Sequence, residues 1–249
     1  MPNRSQLPKW DPSVHTVGWD DGGQRYIKQL ALLEHYGLEP SSDVLEIGCG
    51  IGGLAYELAG FLGDNATYTG FDVAPRAIAW LNEQYAPQLP NFRFELLDVE
   101  NPRFAPGHGA QPHEVRFPYR DSSFDIVCAF EVFMHLPLDG VRNYIGETAR
   151  VLKPGALAVL TFQAIWERET EPVLFGRPFV DIGGGVHTRH PEKHGMSMAY
   201  KVGLLRDLVG SAGLEPVDEV EGLWHSPFDT RPEGKPVHNC DVFAVGRPC

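Results

Sequence analysis

A dense group of glycines follows an apolar run near residue 44 and is the feature most able to do chemistry. The stretch VLEIGCGIGG, residues 44–53, holds four glycines in six positions, and glycine lets the backbone approach a ligand closely. Gly48, Gly50 and Gly53 match the pattern G-x-G-x-x-G, and Asp72 follows 24 residues after Gly48. Taken alone, this spacing indicates a dinucleotide site, and taken alone it is a weak signal.

Acidic residues stand at the ends of three consecutive apolar segments, at Glu46, Asp72 and Asp98. In an open parallel sheet the carboxyl ends of the strands line the ligand crevice. A pyrophosphate beside Glu46 would face a carboxylate in a partly dry site, which is costly. Three acids beside a glycine loop instead suit an amino-acid group, a ribose diol and an adenine amino group. The alternative is that Asp72 and Asp98 cap the helix or turn that follows each of them.

Apolar strands alternate with helical patterns after about residue 40. The predicted strands are DVLEIG, TYTGFDV, FRFELLDV, FDIVCAF and ALAVLTF, and the predicted helices are LAYELAGFL, PRAIAWLNEQY and VRNYIGETARVL. Apolar or small residues in the last helix recur at i, i+3, i+4 and i+7, and KPG (153–155) is predicted to end it with a turn. The alternation predicts an α/β fold of right-handed βαβ units with a mostly parallel, buried sheet.

A single domain is expected to span residues 1–249, since this length supports one substantial core. Residues 1–36 are interpreted as an N-terminal arm followed by a helix from about residue 24. Residues 100–119 form a long loop, and residues 165–198 are interpreted as a substrate lid. Long irregular segments in a compact domain are usually functional or disordered.

The composition disfavours several classes of partner. The chain has 33 Asp and Glu against 21 Lys and Arg, a net charge of −12, which disfavours nucleic acid. No apolar run approaches the length of about 18 to 20 residues that spans a bilayer, and the start lacks a secretory signal. The four cysteines show no metal-ligand spacing, so we expect buried thiols in a cytoplasmic protein.

Five motifs in a fixed order resemble the class I S-adenosylmethionine-dependent methyltransferases. They are DVLEIGCGIGG, GFDVAP, LLDVEN, FPYRDSSFDIVCAFEVFMHL and ARVLKPGALAVLTF, and they cover residues 43–162, with a weaker likeness to residue 246. The resemblance implies a Rossmann-like, seven-stranded, mostly parallel sheet with helices on both faces. The last strand, in NCDVFAVG, would run antiparallel to the others.

The resemblance also implies how S-adenosylmethionine would be held. Glu46, Gly48 and Gly50 would surround its methionine part, and Asp72 would accept hydrogen bonds from both ribose hydroxyls. The adjacent Val73 would pack on the adenine ring.

Three further residues are assigned to the same cofactor site. Asp98 would accept a hydrogen bond from the adenine amino group, and the backbone N–H of Val99 would reach a ring nitrogen. Phe130, at the end of the fourth predicted strand, completes the assigned set.

His135 in FEVFMHL is the candidate general base, because histidine titrates near neutrality and follows the fourth strand on the cofactor side. The alternative is that His135 only braces its loop, since this pattern is common in the superfamily whatever the acceptor. Glu131 would orient the imidazole, contact the cofactor or acceptor, or serve as a structural partner.

The predicted lid contains His187, His190 and His194, whose spacing would suit a metal on a helical turn. Pro191 and flanking glycines argue against that helix, so solvated histidines are expected, with contact to the acceptor as the alternative. A divalent ion such as magnesium is compatible with the many acids, but no spacing identifies its ligands.

The N-terminal arm carries Trp19 and Tyr26. In similar methyltransferases such an arm covers the cofactor and excludes water, and the alternative is ordinary packing of Trp19 against the domain. The likeness of EGLWHS and HNCDVFAV to the tails of bacterial enzymes that act on sugars or glycosylated metabolites is looser.

The leading hypothesis is methyl transfer from S-adenosylmethionine to a hydroxyl of a small polar acceptor, a saccharide or a secondary metabolite. The alternatives are transfer to nitrogen or carbon of a small molecule, a nicotinamide-dependent oxidoreductase, and a non-catalytic binding protein. Glu46 and Asp98 argue against the oxidoreductase, since a dehydrogenase needs neither of them. The sequence indicates no oligomeric state.

Overall fold

The computed structural model describes residues 7–9, 23–107, 109–168, 172–174, 177–193, 195–225 and 238–249. In these ranges the α-helices are α1 Gln24–His35, α2 Gly53–Leu58, α3 Pro75–Gln84, α4 Leu138–Val151 and α5 Val202–Ser211. The strands are β1 Val44–Ile47, β2 Tyr68–Asp72, β3 Phe92–Leu96, β4 Phe124–Ala129, β5 Leu152–Phe162, β6 Ala164–Ile165, β7 Val173–Leu174, β8 Arg177–Pro178, β9 Val180–Gly183, β10 Val186–Thr188, β11 Met198–Lys201, β12 Glu215–Val220 and β13 Asp241–Gly246.

Seven strands form one central sheet in the order β12-β13-β5-β4-β1-β2-β3. The neighbours from β5 to β3 pair in parallel, whereas β13 pairs antiparallel with both β5 and β12. The predicted Rossmann-like sheet with an antiparallel last strand is therefore confirmed. Strand β1 is buried along its whole length, as expected for a parallel strand that is covered on both faces.

Two apolar clusters cover the two faces of the sheet. Ile126 and Cys128 of β4 belong to the cluster that contains Leu33 of α1, whereas Val127 belongs to the cluster that contains Ile145 of α4. Successive side chains of a strand point to opposite faces, so α1 and α4 cover different sides. The same clusters place α2 and α3 with α1, and α5 with α4, and the prediction of helices on both faces is confirmed.

The structure differs from the sequence interpretation where α4 meets β5. The sequence predicts a turn at the KPG segment, yet this segment lies inside β5, which begins at Leu152, the residue directly after α4. Leu152 already has extended backbone angles, φ −63° and ψ 139°. Where this proline and glycine lie in β5, the pairing register is irregular opposite Phe124, and Gly155 has a positive φ of 78°.

The segment predicted as an irregular lid contains regular structure. Strands β6, β11, β10 and β9 form a second, four-stranded sheet in that order. The hydroxyl of Tyr200 in β11 donates a hydrogen bond of 2.5 Å to the carbonyl oxygen of Leu136, which attaches this small sheet to the loop after β4. Among the described residues, no helix has both the length and the apolar character that crossing a membrane requires.

Candidate active site

A cavity of about 710 Å³ opens at the carboxyl ends of the central strands, within the range of roughly 300–1,000 Å³ that is usual for small-ligand sites. Most of the residues predicted from the sequence line it together. They are Glu46, Gly48, Gly50, Asp72, Val73, Val99, Phe130, Glu131 and His135.

The glycine loop brings bare backbone to the cavity wall. Gly48 and Gly50 have φ values of 74° and 53°, in the left-handed region that favours glycine. A Cβ on Gly48 would lie 2.5 Å from Cγ2 of Val132, which is closer than atoms can approach. The backbone N–H of Gly48 donates to the carbonyl of Phe71 at 2.8 Å, so the loop is tied to the end of β2.

Asp72 connects the glycine loop to the turn before α3. Its Oδ2 accepts a hydrogen bond from the backbone N–H of Gly50 at 2.8 Å, and its Oδ1 accepts one from Ala74 at 2.9 Å. Ala74 is the residue that precedes α3, so the capping alternative describes part of what Asp72 does. The same carboxylate is buried and lines the cavity, and its contact with a ribose remains a prediction.

Glu46 is a buried carboxyl group at the centre of the site, with 5% of its surface exposed. Burial raises the pKa of Glu46 to about 8, the hydrogen bond from the Tyr68 hydroxyl at 2.5 Å lowers it, and the nearby Asp72 carboxylate raises it. The group is therefore mostly protonated at neutral pH in the free protein. A cationic ligand would reverse this preference, because an opposite charge stabilises the carboxylate.

Asp98 departs from the sequence prediction. Its side chain is exposed and does not line the cavity. Strand β3 already ends at Leu96, and the backbone carbonyl of Asp98 accepts a hydrogen bond from Ala110 at 3.0 Å, so the following loop folds back here. The cavity wall is formed instead by the next residues, Val99 and Asn101.

His135 lies in a short 3₁₀ turn, Phe133–His135, directly after β4. Its ring meets that of Phe104 edge to face, with centroids 5.6 Å apart, and its backbone carbonyl accepts a hydrogen bond from Asn101 at 3.3 Å. The imidazole is thus braced by the loop after β3 and also lines the cavity. Both predicted roles, base and brace, are compatible with this geometry.

Glu131 adopts a left-handed backbone conformation with φ 59°, which is uncommon for a residue with a side chain. Its backbone N–H donates to Thr161 Oγ1 at 2.8 Å, and its Oε2 lies 3.9 Å from Arg25 Nη1 of α1. Backbone strain of this kind is frequent at functional sites. A catalytic role of Glu131 remains a prediction.

The structure describes two of the three predicted lid histidines, His187 and His190. His187 is buried in β10, which contradicts the expectation that it is solvated, and burial lowers the pKa of its imidazole. Nδ1 of His190 lies 3.4 Å from Oε1 of Glu192. His194 lies outside the described residues. No group of three potential metal ligands is present among the described residues, and magnesium dependence remains untested.

The arm prediction is only partly described by the structure. Trp19 lies outside the described residues. Tyr26 in α1 lines the cavity, and a Cβ on Gly53 would lie 2.1 Å from its ring. The last glycine of the G-x-G-x-x-G pattern is therefore required by packing of Tyr26.

Sequence reasoning missed several residues that line the cavity. They are Asn101, Arg103, Phe104, Met134, Gln163, Arg189, Ser197, Leu223, Trp224 and Cys240. Of these residues, only Gln163 could have been predicted from the sequence. It directly follows the apolar run of β5 and therefore lies at the same edge of the sheet as Glu46. The others reach the cavity from loops and from the small sheet, whose placement depends on long-range pairing.

Comparison with known proteins gives concordant matches. Residues 44–155 match the family described as methyltransferase domain. A sterol 24-C-methyltransferase of Gibberella zeae is 27% identical over 230 residues, which cover 89% of this chain and 55% of that protein. The sterol 24-C-methyltransferase of Schizosaccharomyces pombe is 31% identical over 248 residues, covering 96% and 60% respectively. The chain thus spans little more than half the length of these curated relatives.

A solved structure supports the same fold. The crystal structure of a SAM-dependent methyltransferase from Aquifex aeolicus matches with a TM-score of 0.57 and 19% identity, over 95% of this chain and 99% of that one. At this level of identity the likeness concerns the fold alone.

Proposed function

The chain belongs to the class I S-adenosylmethionine-dependent methyltransferases, and on that premise we propose that it methylates a carbon atom of a small, largely apolar acceptor. The resemblance drawn from the five sequence motifs is confirmed, and S-adenosylmethionine is the cofactor. The proposal for carbon rests on one observation above others: relatives that align with 89% to 96% of the chain are named as sterol 24-C-methyltransferases.

The residues around the glycine loop fit this cofactor. Glu46 offers a buried carboxyl to its positive charges, and Gly50, where an added Cβ would meet no protein atom within 4 Å, leaves room for close approach of the backbone. The buried carboxylate of Asp72 is an acceptor for the ribose hydroxyls. When bound, the cofactor supplies an electrophilic methyl group.

The acceptor side of the cavity is suited to an apolar molecule. Aromatic rings of Phe104, Phe130 and Trp224 line it together with Met134 and Leu136. A carbon–carbon double bond that gains a methyl group becomes positively charged, and aromatic faces stabilise such a charge. These rings therefore support a carbon acceptor better than they support a saccharide.

A carbon acceptor must also lose a proton to restore its neutral state. His135 lines the cavity and is the proposed proton acceptor, since an imidazole accepts protons near neutral pH. Glu131 also lines the cavity and would stabilise positive charge on the acceptor or on His135.

The proposal is tested by finding the atom that receives the label. The protein is incubated with S-adenosylmethionine that carries a ¹³C-methyl group, separately with a sterol unsaturated at C24, a substituted hydroquinone and a sugar, and each product is examined by NMR. We expect the label on carbon. Label found on oxygen or nitrogen would contradict carbon transfer, and no binding of S-adenosylhomocysteine at millimolar concentration would contradict the enzymatic proposal as a whole.

Transfer to a hydroxyl is the second candidate, and a specific feature favours it. Gln163, Arg189 and Ser197 place polar groups on the acceptor side of the cavity, and a hydroxylated acceptor would satisfy them. Here His135 would take the hydroxyl proton as methyl transfer proceeds. The labelling experiment distinguishes the two candidates directly.

A further inference from the structure

Gln163 has a buried polar atom that the protein leaves unsatisfied. The residue is 4% exposed, and its Oε1 accepts no hydrogen bond from the described part of the chain. Thr148 Oγ1 and His187 Nδ1 share this condition, but neither residue lines the cavity, whereas Gln163 does. A buried carbonyl oxygen without a donor is destabilising, so its presence at a cavity wall indicates a ligand that supplies the donor.

Two polar residues of the small sheet line the same cavity. Arg189 follows β10, and its Nη2 donates to Ser197 Oγ at 2.6 Å, just before β11. The guanidinium carbon of Arg189 lies 5.7 Å from the ring centroid of Phe179, which fixes it further. Gln163 precedes β6, the strand that pairs with β11. Segments at the ends of β6 and β10, the two strands that flank β11 in the small sheet, thus supply a hydrogen-bond acceptor and a cationic donor to one cavity.

The donor and acceptor types select among possible ligand groups. A carboxylate offers no proton to Gln163 Oε1 and would meet Glu46 and Asp72, which line the cavity too. An ammonium group would donate to Gln163 but would be repelled by the guanidinium of Arg189. A hydroxyl group can donate to the amide oxygen and accept from a guanidinium N–H.

We propose that Gln163 and Arg189 form a recognition subsite for a hydroxyl group, so that the methyl acceptor is an apolar alcohol. The inference rests on the proposed function and deepens it, because it names the polar group by which the acceptor is held. In the carbon-transfer reaction this hydroxyl is bound but is not methylated. An acceptor that lacks this hydroxyl would leave Gln163 Oε1 buried without a donor. The protein should therefore discriminate strongly against such an acceptor.

The test compares two acceptors with wild-type protein and with Gln163→Met, which keeps the side-chain length but removes the amide. The acceptors are a sterol unsaturated at C24 and the same molecule with hydrogen in place of its hydroxyl. We expect wild-type protein to prefer the hydroxylated acceptor by about 100-fold or more in kcat/KM. Gln163→Met should reduce that preference to less than about 10-fold and leave the Kd of S-adenosylhomocysteine unchanged.

Thr148→Val is the matched control, because it removes a buried, unsatisfied hydroxyl outside the cavity, and it should keep the wild-type preference. An equal loss of activity on both acceptors in Gln163→Met would overturn the subsite and indicate a structural or water-binding role. If calorimetry shows that neither acceptor binds, the apolar-alcohol class is also wrong. The labelled position in the product tests carbon transfer separately, so failure of the proposed function is recognised independently.

Discussion

We expect cofactor binding and proton binding to be coupled at Glu46, which lines the cavity. Its carboxyl group is buried, and this burial raises its pKa to about 8. A ligand with a sulfonium and an ammonium group brings positive charge and stabilises the ionised form. Cofactor binding is therefore predicted to promote deprotonation of Glu46.

We expect S-adenosylmethionine binding to release about one proton per site near pH 6.5, since Glu46 is protonated in the free protein and ionised in the complex. Calorimetry in two buffers with different ionisation enthalpies measures this release. Glu46→Gln should abolish it and weaken binding, whereas Glu83→Gln, on the exposed side of α3, should behave as wild type. Equal proton release by wild type and Glu46→Gln would refute the linkage.

The same group makes the stability of the free protein depend on pH. Because the folded-state pKa lies above the ordinary value, the contribution of Glu46 is complete below pH 4.5 and is lost as the pH rises through about 8. The free energy of unfolding of wild type relative to Glu46→Gln should therefore fall across this interval in urea titrations. A constant difference between the two proteins would contradict the raised pKa.

Replacing Gly48 or Gly50 of the glycine loop by alanine should have different effects on stability and on cofactor binding. Gly48→Ala combines a left-handed backbone with a collision against Val132, and should cost about 2–3 kcal/mol of stability. Gly50→Ala meets no protein atom within 4 Å but extends from the cavity wall. Gly50→Ala should lower the free energy of unfolding by about 1 kcal/mol. It should weaken cofactor binding more than this loss of stability would explain. Chemical denaturation and calorimetry separate the effects, and identical profiles would contradict this assignment.

At the scale of elements, the small sheet and the 3₁₀ turn with His135 are connected through Tyr200. Tyr200→Phe removes the hydroxyl that bonds the Leu136 carbonyl, and should cost about 1–2 kcal/mol because both groups are buried. We expect kcat/KM for the acceptor to fall while the Kd of S-adenosylhomocysteine stays unchanged. Tyr119→Phe is the control, because it loses one tyrosine hydrogen bond, to Glu95, outside the cavity. The same loss of kcat/KM in the control would show that the connection is not specific.

The central elements were predictable because their signals are local. The apolar runs of β1, β2, β4 and β5 lie in the strands of the structure, and Pro75 begins α3 as a first-turn proline should. Glu46 and Asp72 reach one cavity because parallel strands end at the same edge. Local pattern and tertiary position agree at these residues.

Features set by long-range pairing were not predictable from the sequence. Residues 165–198 contain polar and glycine-rich stretches, yet β9, β10 and β11 form because they pair with one another and with β6. His187 is buried by that pairing. Asp98 lies outside the cavity lining, where the loop after β3 folds back and the N–H of Ala110 donates to the Asp98 carbonyl, and no local pattern marks such a contact.

At the scale of the whole molecule, a single carboxylate joins segments from three parts of the chain. Asp241 at the start of β13 is fully buried. Its two oxygens accept hydrogen bonds from the segment after β5 and from the segment after β12. The second segment includes a 3₁₀ turn, Leu223–His225. The donors are Ala164 N at 2.8 Å, Trp166 Nε1 at 3.0 Å, Gly222 N at 3.0 Å, Trp224 Nε1 at 2.5 Å and His225 Nε2 at 2.7 Å.

Replacing this carboxylate should therefore affect the whole fold and the acceptor wall together. Asp241→Asn removes the charge and turns an amide N–H₂ toward donors that then lack acceptors, which should cost about 2–4 kcal/mol. Trp224 lines the cavity, so the tryptophan fluorescence of the folded variant should shift to longer wavelength. Urea denaturation followed by fluorescence measures both effects in one titration. Asp207→Asn, which alters an exposed carboxylate of α5, should change stability by no more than about 0.5 kcal/mol. If the two variants lose the same stability, Asp241 does not join these segments.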